Sequence, residues 1–340
     1  MNGPASAVLL DDDHVRIEHW QRGSEGATLA VTFDPLLYLW TKPPFGHEFF
    51  AKQTIDVVSV RKKSEHFYQP LSRRAFEAAL APLLPHYARV VCYGSSLGAY
   101  AALYFARDLP WTVIASSPRV SVHPAYGAKV WQQRCDYRHE PFRSDVPARC
   151  DAIIFYDPRD AIDRRYIEGE VLPQFARAQV VRVPFAGHPA NQFLGDIGFI
   201  APYVRAVVAG TETPALQRRA LRSRSAMYHQ VLALACVQHG HVAWADSLVQ
   251  RALHLDARRM LAHRTLGLVR LAQQRWSDAQ SALETALTFD PHDPYSMALL
   301  KKAQAGPQPP VPAEPDGASV WARRAWRGLL RRLGRARSPG

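Results

Sequence analysis

At 340 residues the chain exceeds the usual span of one domain and is long enough to bury a full hydrophobic core in the first of two. Apolar residues make up 47% and charged residues 21%, which excludes a largely disordered or collagen-like protein. The formal net charge of +12 raises the question of nucleic acid, but seven arginines and no acid fall between Ser319 and Gly340, so over half of the excess is local and nucleic acid is not the favoured partner.

Near the start, Asp11, Asp12 and Asp13 stand where an export signal would be basic and then apolar, and no stretch of about 18 uncharged apolar residues follows anywhere. A cytoplasmic protein without a membrane span is expected. Four widely spaced cysteines (Cys92, Cys135, Cys150, Cys236) form no CxxC and have no histidine at ligand spacing, so free thiols are expected, with no metal and no cofactor.

The run Ala27 to Phe33, bounded by Gly26 and Asp34-Pro35, suits a buried strand, as do Ile55 to Val60 and Arg89 to Tyr93. Helical stretches lie between them at Gly46 to Gln53 and at Arg73 to Leu84, the second with Ser72 as its cap. Further strands are expected at Thr112 to Ala115, Ala152 to Tyr156 and Val180 to Val183. Val- and Ile-rich strands alternating with helices imply a doubly wound, mostly parallel α/β sheet, in which reactive groups gather beyond the carboxyl ends of the strands.

Three of those loops hold capable residues. Gly94-Ser95-Ser96-Leu97-Gly98 has the G-x-S-x-G form between a strand and the helical run that follows, where a sharp turn lifts a serine hydroxyl clear of the sheet. Serine is a weak nucleophile and needs a histidine base oriented by a carboxylate. Asp157-Pro158-Arg159-Asp160 follows one later strand and Ala186-Gly187-His188 the next, in the order Ser, acid, His.

These segments, YGSSLGAYAAL, FYDPRD and FAGHPAN, resemble the nucleophile, acid and histidine segments of the α/β-hydrolase superfamily over about residues 27 to 205. The resemblance implies Ser96 as nucleophile, His188 as base and Asp160 as the best-matching acid, with Asp157 and Asp163 left open. Asp157 is also read as a turn former and Asp163 as the partner of Arg164 or Arg165 on a solvated helix. The Leu97 amide is the expected first oxyanion donor. The loop after the first strand departs from the glycine-rich pattern: Pro35 has no N–H, so the second donor would be Leu36 or a neighbour. His47 is read as a surface residue within reach of substrate. The segment Pro118 to Cys150 occupies the position of a lid, with Arg119, Arg134, Arg138 or Arg143 available to an anionic substrate, and is equally a surface excursion.

Beyond Met227 the chain becomes helical. At an offset of 34, Leu232 repeats as Leu266, Ala245 as Ala279, Val249 as Leu283 and Ala252 as Ala286, a period that resembles the tetratricopeptide repeat. Two repeats are expected to lean on a capping helix at Tyr295 to Ala305, on the hydrolase domain or on another copy of the chain, and to offer a shallow groove to a protein partner or equally serve as a spacer or dimer contact. Gly306 to Gly317 reads as a Pro-rich linker. In the tail, tryptophans and leucines share one half of a helical circumference with arginines opposite, which suits an anionic membrane surface and peripheral attachment at the inner face.

The expected organisation is a hydrolase domain at 1–210, helical repeats at 222–305, a linker at 306–318 and a basic tail at 319–340. The expected function is serine hydrolysis of a small-molecule or lipid-like acyl ester; the alternative is a non-catalytic hydrolase-like scaffold acting through its repeats.

Overall fold

A computed structural model describes residues 6–23, 27–38, 40–142 and 146–306. The tail at 319–340, the linker beyond Gly306 and Arg143 lie outside them. Two compact units divide the chain, Met1–Val231 and Leu232–Gly340.

The first unit is built on eight strands: β1 (Ser6–Asp11), β2 (Val15–Trp20), β3 (Thr28–Phe33), β4 (Asp56–Lys62), β5 (Arg89–Ser95), β6 (Thr112–Ser116), β7 (Asp151–Tyr156) and β8 (Gln179–Arg182). Their order in the sheet is β1-β2-β4-β3-β5-β6-β7-β8. From β4 onward every pairing is parallel; β2 is antiparallel to both β1 and β4 and so alone runs against the rest. This is the expected α/β-hydrolase architecture, extended at one edge by two strands that the apolar-run pattern did not reveal. β1 is largely exposed, and its neighbour's VRIEHW alternates apolar and polar residues instead of forming a continuous apolar run.

The helices of this unit are α1 (His47–Ala51), α2 (Arg73–Leu80), α3 (Leu97–Ala106), α4 (Lys129–Gln132), α5 (Ala161–Tyr166, continued by a π-helical turn to Val171), α6 (Ala190–Asp196), α7 (Ile200–Ala209) and α8 (Arg218–Leu221). Ser72 caps α2 as expected, its side chain accepting from the Ala75 N–H. Every residue of β3 and β4 is buried, as strands covered on both faces must be. All ten residues of α3 are buried too, which explains a sequence apolar on every side. Phe33 stacks on Phe105 at 5.8 Å and Phe105 meets Phe76 at 4.9 Å, so α3 is clamped between β3 and α2 by aromatic contact.

The segment after β6 packs closely. Val120, Val122 and Phe142 join the core, Trp131 meets Phe67 edge-on at 5.5 Å, and His139 stacks on Tyr104 of α3 at 4.0 Å. It is a fastened flap.

In the second unit, α9 (Ala226–Gln238), which begins in the first unit, is followed by α10 (Val242–Leu255), α11 (Met260–Ala272), α12 (Trp276–Phe289) and α13 (Pro294–Ala305). Ala245, Val249 and Ala252 are fully buried, and so are Ala279, Leu283 and Ala286, the residues 34 positions later. The helix ends keep the same period: Asp256 and Asp290 both close their helices in extended backbone. At Gly267 a Cβ would lie 2.5 Å from Leu283 Cγ, so α11 and α12 approach closely only because glycine stands there. Asp293 caps α13 through the Ser296 N–H and pairs with Arg264. These are two tetratricopeptide-like units with a capping helix.

Candidate active site

Parallel pairing aligns the carboxyl ends of β3, β5, β6, β7 and β8, with Phe33 opposite Gly94, Ser95 opposite Ser116, and Tyr156 opposite Arg182. The loops leaving those ends therefore converge on one rim of the sheet.

Ser96 stands between β5 and α3 with φ 55° and ψ −118°, a conformation costing about 1–3 kcal/mol for a residue with a Cβ. The flanking glycines make the turn possible. A Cβ on Gly94 would lie 2.2 Å from the Gly98 carbonyl oxygen, and one on Gly98 would lie 2.3 Å from the Phe33 carbonyl oxygen. The second contact sets the start of α3 directly against the loop that leaves β3. Ser96 is itself tied down through its backbone, donating to the Ser116 carbonyl at 2.9 Å and accepting from the Arg119 N–H at 3.2 Å.

The Ser96 Oγ lies 2.8 Å from His188 Nε2, and His188 Nδ1 lies 2.9 Å from Asp163 Oδ2. Asp163 has no exposed side-chain surface, whereas His188 keeps 18% of its own. The loop carrying His188 is fastened on both sides. Before it, Asp157 accepts the Gly187 N–H at 2.9 Å; after it, the Ala190 N–H donates to Ser117 Oγ and the Asn191 amide to Tyr93 Oη. Burial pushes the Tyr93 hydroxyl up to about 12, so it remains a neutral partner. Burial also raises the Asp157 carboxyl, an effect opposed by the amides of Arg159 and Gly187.

The structure thus brings Ser96 and His188 together and sets Asp163 behind the histidine, where sequence favoured Asp160. Asp160 is the N-cap of α5, accepting from the Ile162 and Asp163 N–H groups at 3.1 and 2.9 Å. An aspartate in that role points along its own backbone. Asp163, three residues on, projects one turn deeper toward His188. Nor does Asp163 pair with Arg164 or Arg165 on a solvated face, because it is buried against His188 and Arg119.

At the loop after β3, Asp34 donates its N–H to Val60, Leu37 donates its N–H to Glu65, and Lys62 bonds the Pro35 carbonyl. Arg61 grips the Asp34 carboxylate at 2.9 Å and stacks on Trp40, which fixes the loop's course. Leu97 opens α3, where an N–H has no partner within the helix. His47 belongs to another cluster, bonded to Arg22 at 2.7 Å and packed on Trp20; burial and the nearby Arg22 lower its basicity. Of the arginines considered for an anion, Arg134 stacks on Trp131, Arg138 is exposed beside Asp136, and Arg119 holds Asp160 and Asp163. Among the described residues no group of three or more His, Cys, Asp and Glu side chains is placed to hold a metal ion. No helix among them is long and apolar enough to cross a membrane.

No family model matches the chain, and no curated protein matches it. Among solved structures it is similar to the first TPR domain of the human RPAP3 protein, at 22% identity and TM-score 0.23, over 24% of this chain; the chain spans 63% of that domain's length. It is also similar to Est1E from Butyrivibrio proteoclasticus, at 12% identity and TM-score 0.42, over 61% of this chain and 99% of that one. The Pyrococcus furiosus esterase Pf2001 is similar at 13% identity and TM-score 0.39, over 61% of this chain and 90% of the esterase.

Proposed function

We propose that the first unit is a serine hydrolase of esterase type, in which Ser96, His188 and Asp163 form the proton relay. The carrying observation is the unbroken chain of contacts from Ser96 Oγ through both ring nitrogens of His188 to a buried carboxylate, at 2.8 and 2.9 Å. Asp163 accepts from His188 Nδ1–H, which leaves Nε2 as the acceptor for the serine proton. Ser96 Oγ then attacks the acyl carbon while His188 takes its proton, and Asp163 stabilises the imidazolium formed. The Leu97 N–H meets the developing oxyanion, with Leu36 as the second donor because the neighbouring amides at 34 and 37 are already engaged and Pro35 has none. Collapse releases the alcohol as His188 returns the proton. Water, deprotonated by the same imidazole, then frees the acid and restores Ser96.

The substrate is a small-molecule or lipid-like acyl ester. The helical repeats would take a protein partner, and the arginine-rich tail an anionic membrane surface, in a cytoplasmic protein attached at the inner face. A fluorophosphonate probe tests the central reading. Wild type should be labelled at Ser96 and Ser96→Ala should not; a folded wild type that takes no label would favour the scaffold alternative.

A further inference from the structure

Arg119, in the segment that follows β6, touches both ends of the proposed relay. Its backbone N–H donates to the Ser96 carbonyl at 3.2 Å. Its guanidinium reaches α5, where Nε donates to Asp163 Oδ1 at 2.7 Å and Nη2 lies 2.6 Å from the same oxygen and 2.8 Å from Asp160 Oδ1.

Asp163 is therefore divided between two partners, with Oδ1 on Arg119 and Oδ2 on His188 Nδ1. A carboxylate with no exposed surface has no water to satisfy a second orientation, so both oxygens depend on protein donors. With Oδ1 gripped, the carboxylate cannot rotate Oδ2 away from the imidazole. The fork geometry of a guanidinium suits this task better than the point charge of an ammonium. Asp160 completes the arrangement: fixed as the α5 cap, it anchors the outer end of the same guanidinium.

We propose that Arg119 is a positioning residue of the relay, locking Asp163 Oδ2 onto His188 and tempering the negative charge the imidazole feels. The proposal rests on the Ser96–His188–Asp163 reading for its catalytic meaning. Its geometric and electrostatic parts separate. Loss of the fork lets the carboxylate turn and slows proton transfer. Loss of the charge leaves Asp163 uncompensated, which favours the imidazolium and raises the pH at which His188 becomes a free base. Other charged groups about the loop that carries His188 include Asp160 on α5, Asp157 and Arg159 after β7, and Arg218 of α8; Asp157 is engaged by the Gly187 N–H, Arg159 stacks on Phe185 and Arg218 donates to the Pro184 carbonyl.

The imidazole titration of His188, followed by NMR in wild type, Arg119→Lys and Arg119→Met, tests the charge without requiring turnover. The midpoint should be higher in Arg119→Met than in wild type and unchanged in Arg119→Lys. Fluorophosphonate labelling of the same proteins tests the geometry: both variants should react about tenfold more slowly, and only Arg119→Met should shift its pH profile. An unmoved midpoint together with a wild-type labelling rate in folded Arg119→Met would overturn the proposal. Should Arg119→Met fail to fold, Arg119→Lys decides alone, since slowed labelling at an unchanged midpoint supports the proposal and a wild-type rate refutes it. A wild type that takes no label, yet gives the midpoint shift in Arg119→Met, would count against the hydrolase reading and leave the positioning role standing.

Discussion

The two halves of the candidate site are held by different kinds of force. On the Ser96 side the backbone does the positioning: Ser96 sits at φ 55° because Gly94 and Gly98 lack the Cβ atoms that would lie 2.2 Å from the Gly98 carbonyl oxygen and 2.3 Å from the Phe33 carbonyl oxygen, and the fully buried α3 lies behind it. On the Asp163 side, side chains do it. Asp157 holds Gly187, Asp160 caps α5, and Asp163 is shared between Arg119 and His188. Backbone positioning fails through sterics, abruptly and at any pH, whereas a side-chain network fails through lost partners and responds to charge.

The largest expected effect on stability follows on the backbone side. Gly98→Ala places a methyl against the Phe33 carbonyl, so α3 must shift away from β3. A loss of about 3 kcal/mol or more in unfolding free energy is expected, with labelling of Ser96 reduced at least about 100-fold in whatever folds. Thermal melting and probe kinetics of this one variant check both; near-native values would show that the turn is held by something other than its glycines.

A smaller and pH-dependent effect belongs to a side-chain network behind α3. His139 is buried, stacked on Tyr104 and bonded to Tyr100 Oη at 2.8 Å, and burial lowers its pKa to about 4 from 6.5. The folded state resists protonation there while the unfolded chain accepts it. Stability is therefore fully present above the unfolded value and lost as pH falls toward about 4, by up to about 3 kcal/mol. Urea unfolding should show wild type losing more stability between neutral pH and about pH 4.5 than His139→Phe, although the variant starts less stable. Equal losses in the two proteins would remove His139 as an acid-sensitive site.

The same division explains what could be read from residue order alone. The turn at Ser96 was legible because sterics leave a local signature, two glycines around a serine at a strand-to-helix junction. The parallel strands were legible as apolar runs, and the repeats as paired alanines 34 residues apart. The carboxylate that meets His188 was not, because Asp157, Asp160 and Asp163 lie within seven residues and differ only in what they meet across the fold. A capping argument would have helped, since an aspartate directly before Ala161 is a strong N-cap and so already occupied. Arg119 has no comparable local signature: its role depends on β6 lying beside β7. The β1–β2 hairpin escaped because a half-exposed edge alternates, and Asp12-Asp13-His14 turns without glycine, Asp12 accepting the His14 and Val15 N–H groups.

The most direct test of the account compares two neighbouring carboxylates. Fluorophosphonate labelling rates should be measured for Asp163→Asn and Asp160→Asn beside wild type, with unfolding curves to establish that all three are folded. Asp163→Asn removes the carboxylate that orients His188 and should slow the reaction by about 10⁴-fold. Asp160→Asn keeps a residue able to cap α5 and leaves Arg119 on Asp163, so its loss should be within about threefold. The reverse ranking, with both variants folded, would contradict the relay from Ser96 through His188 to Asp163.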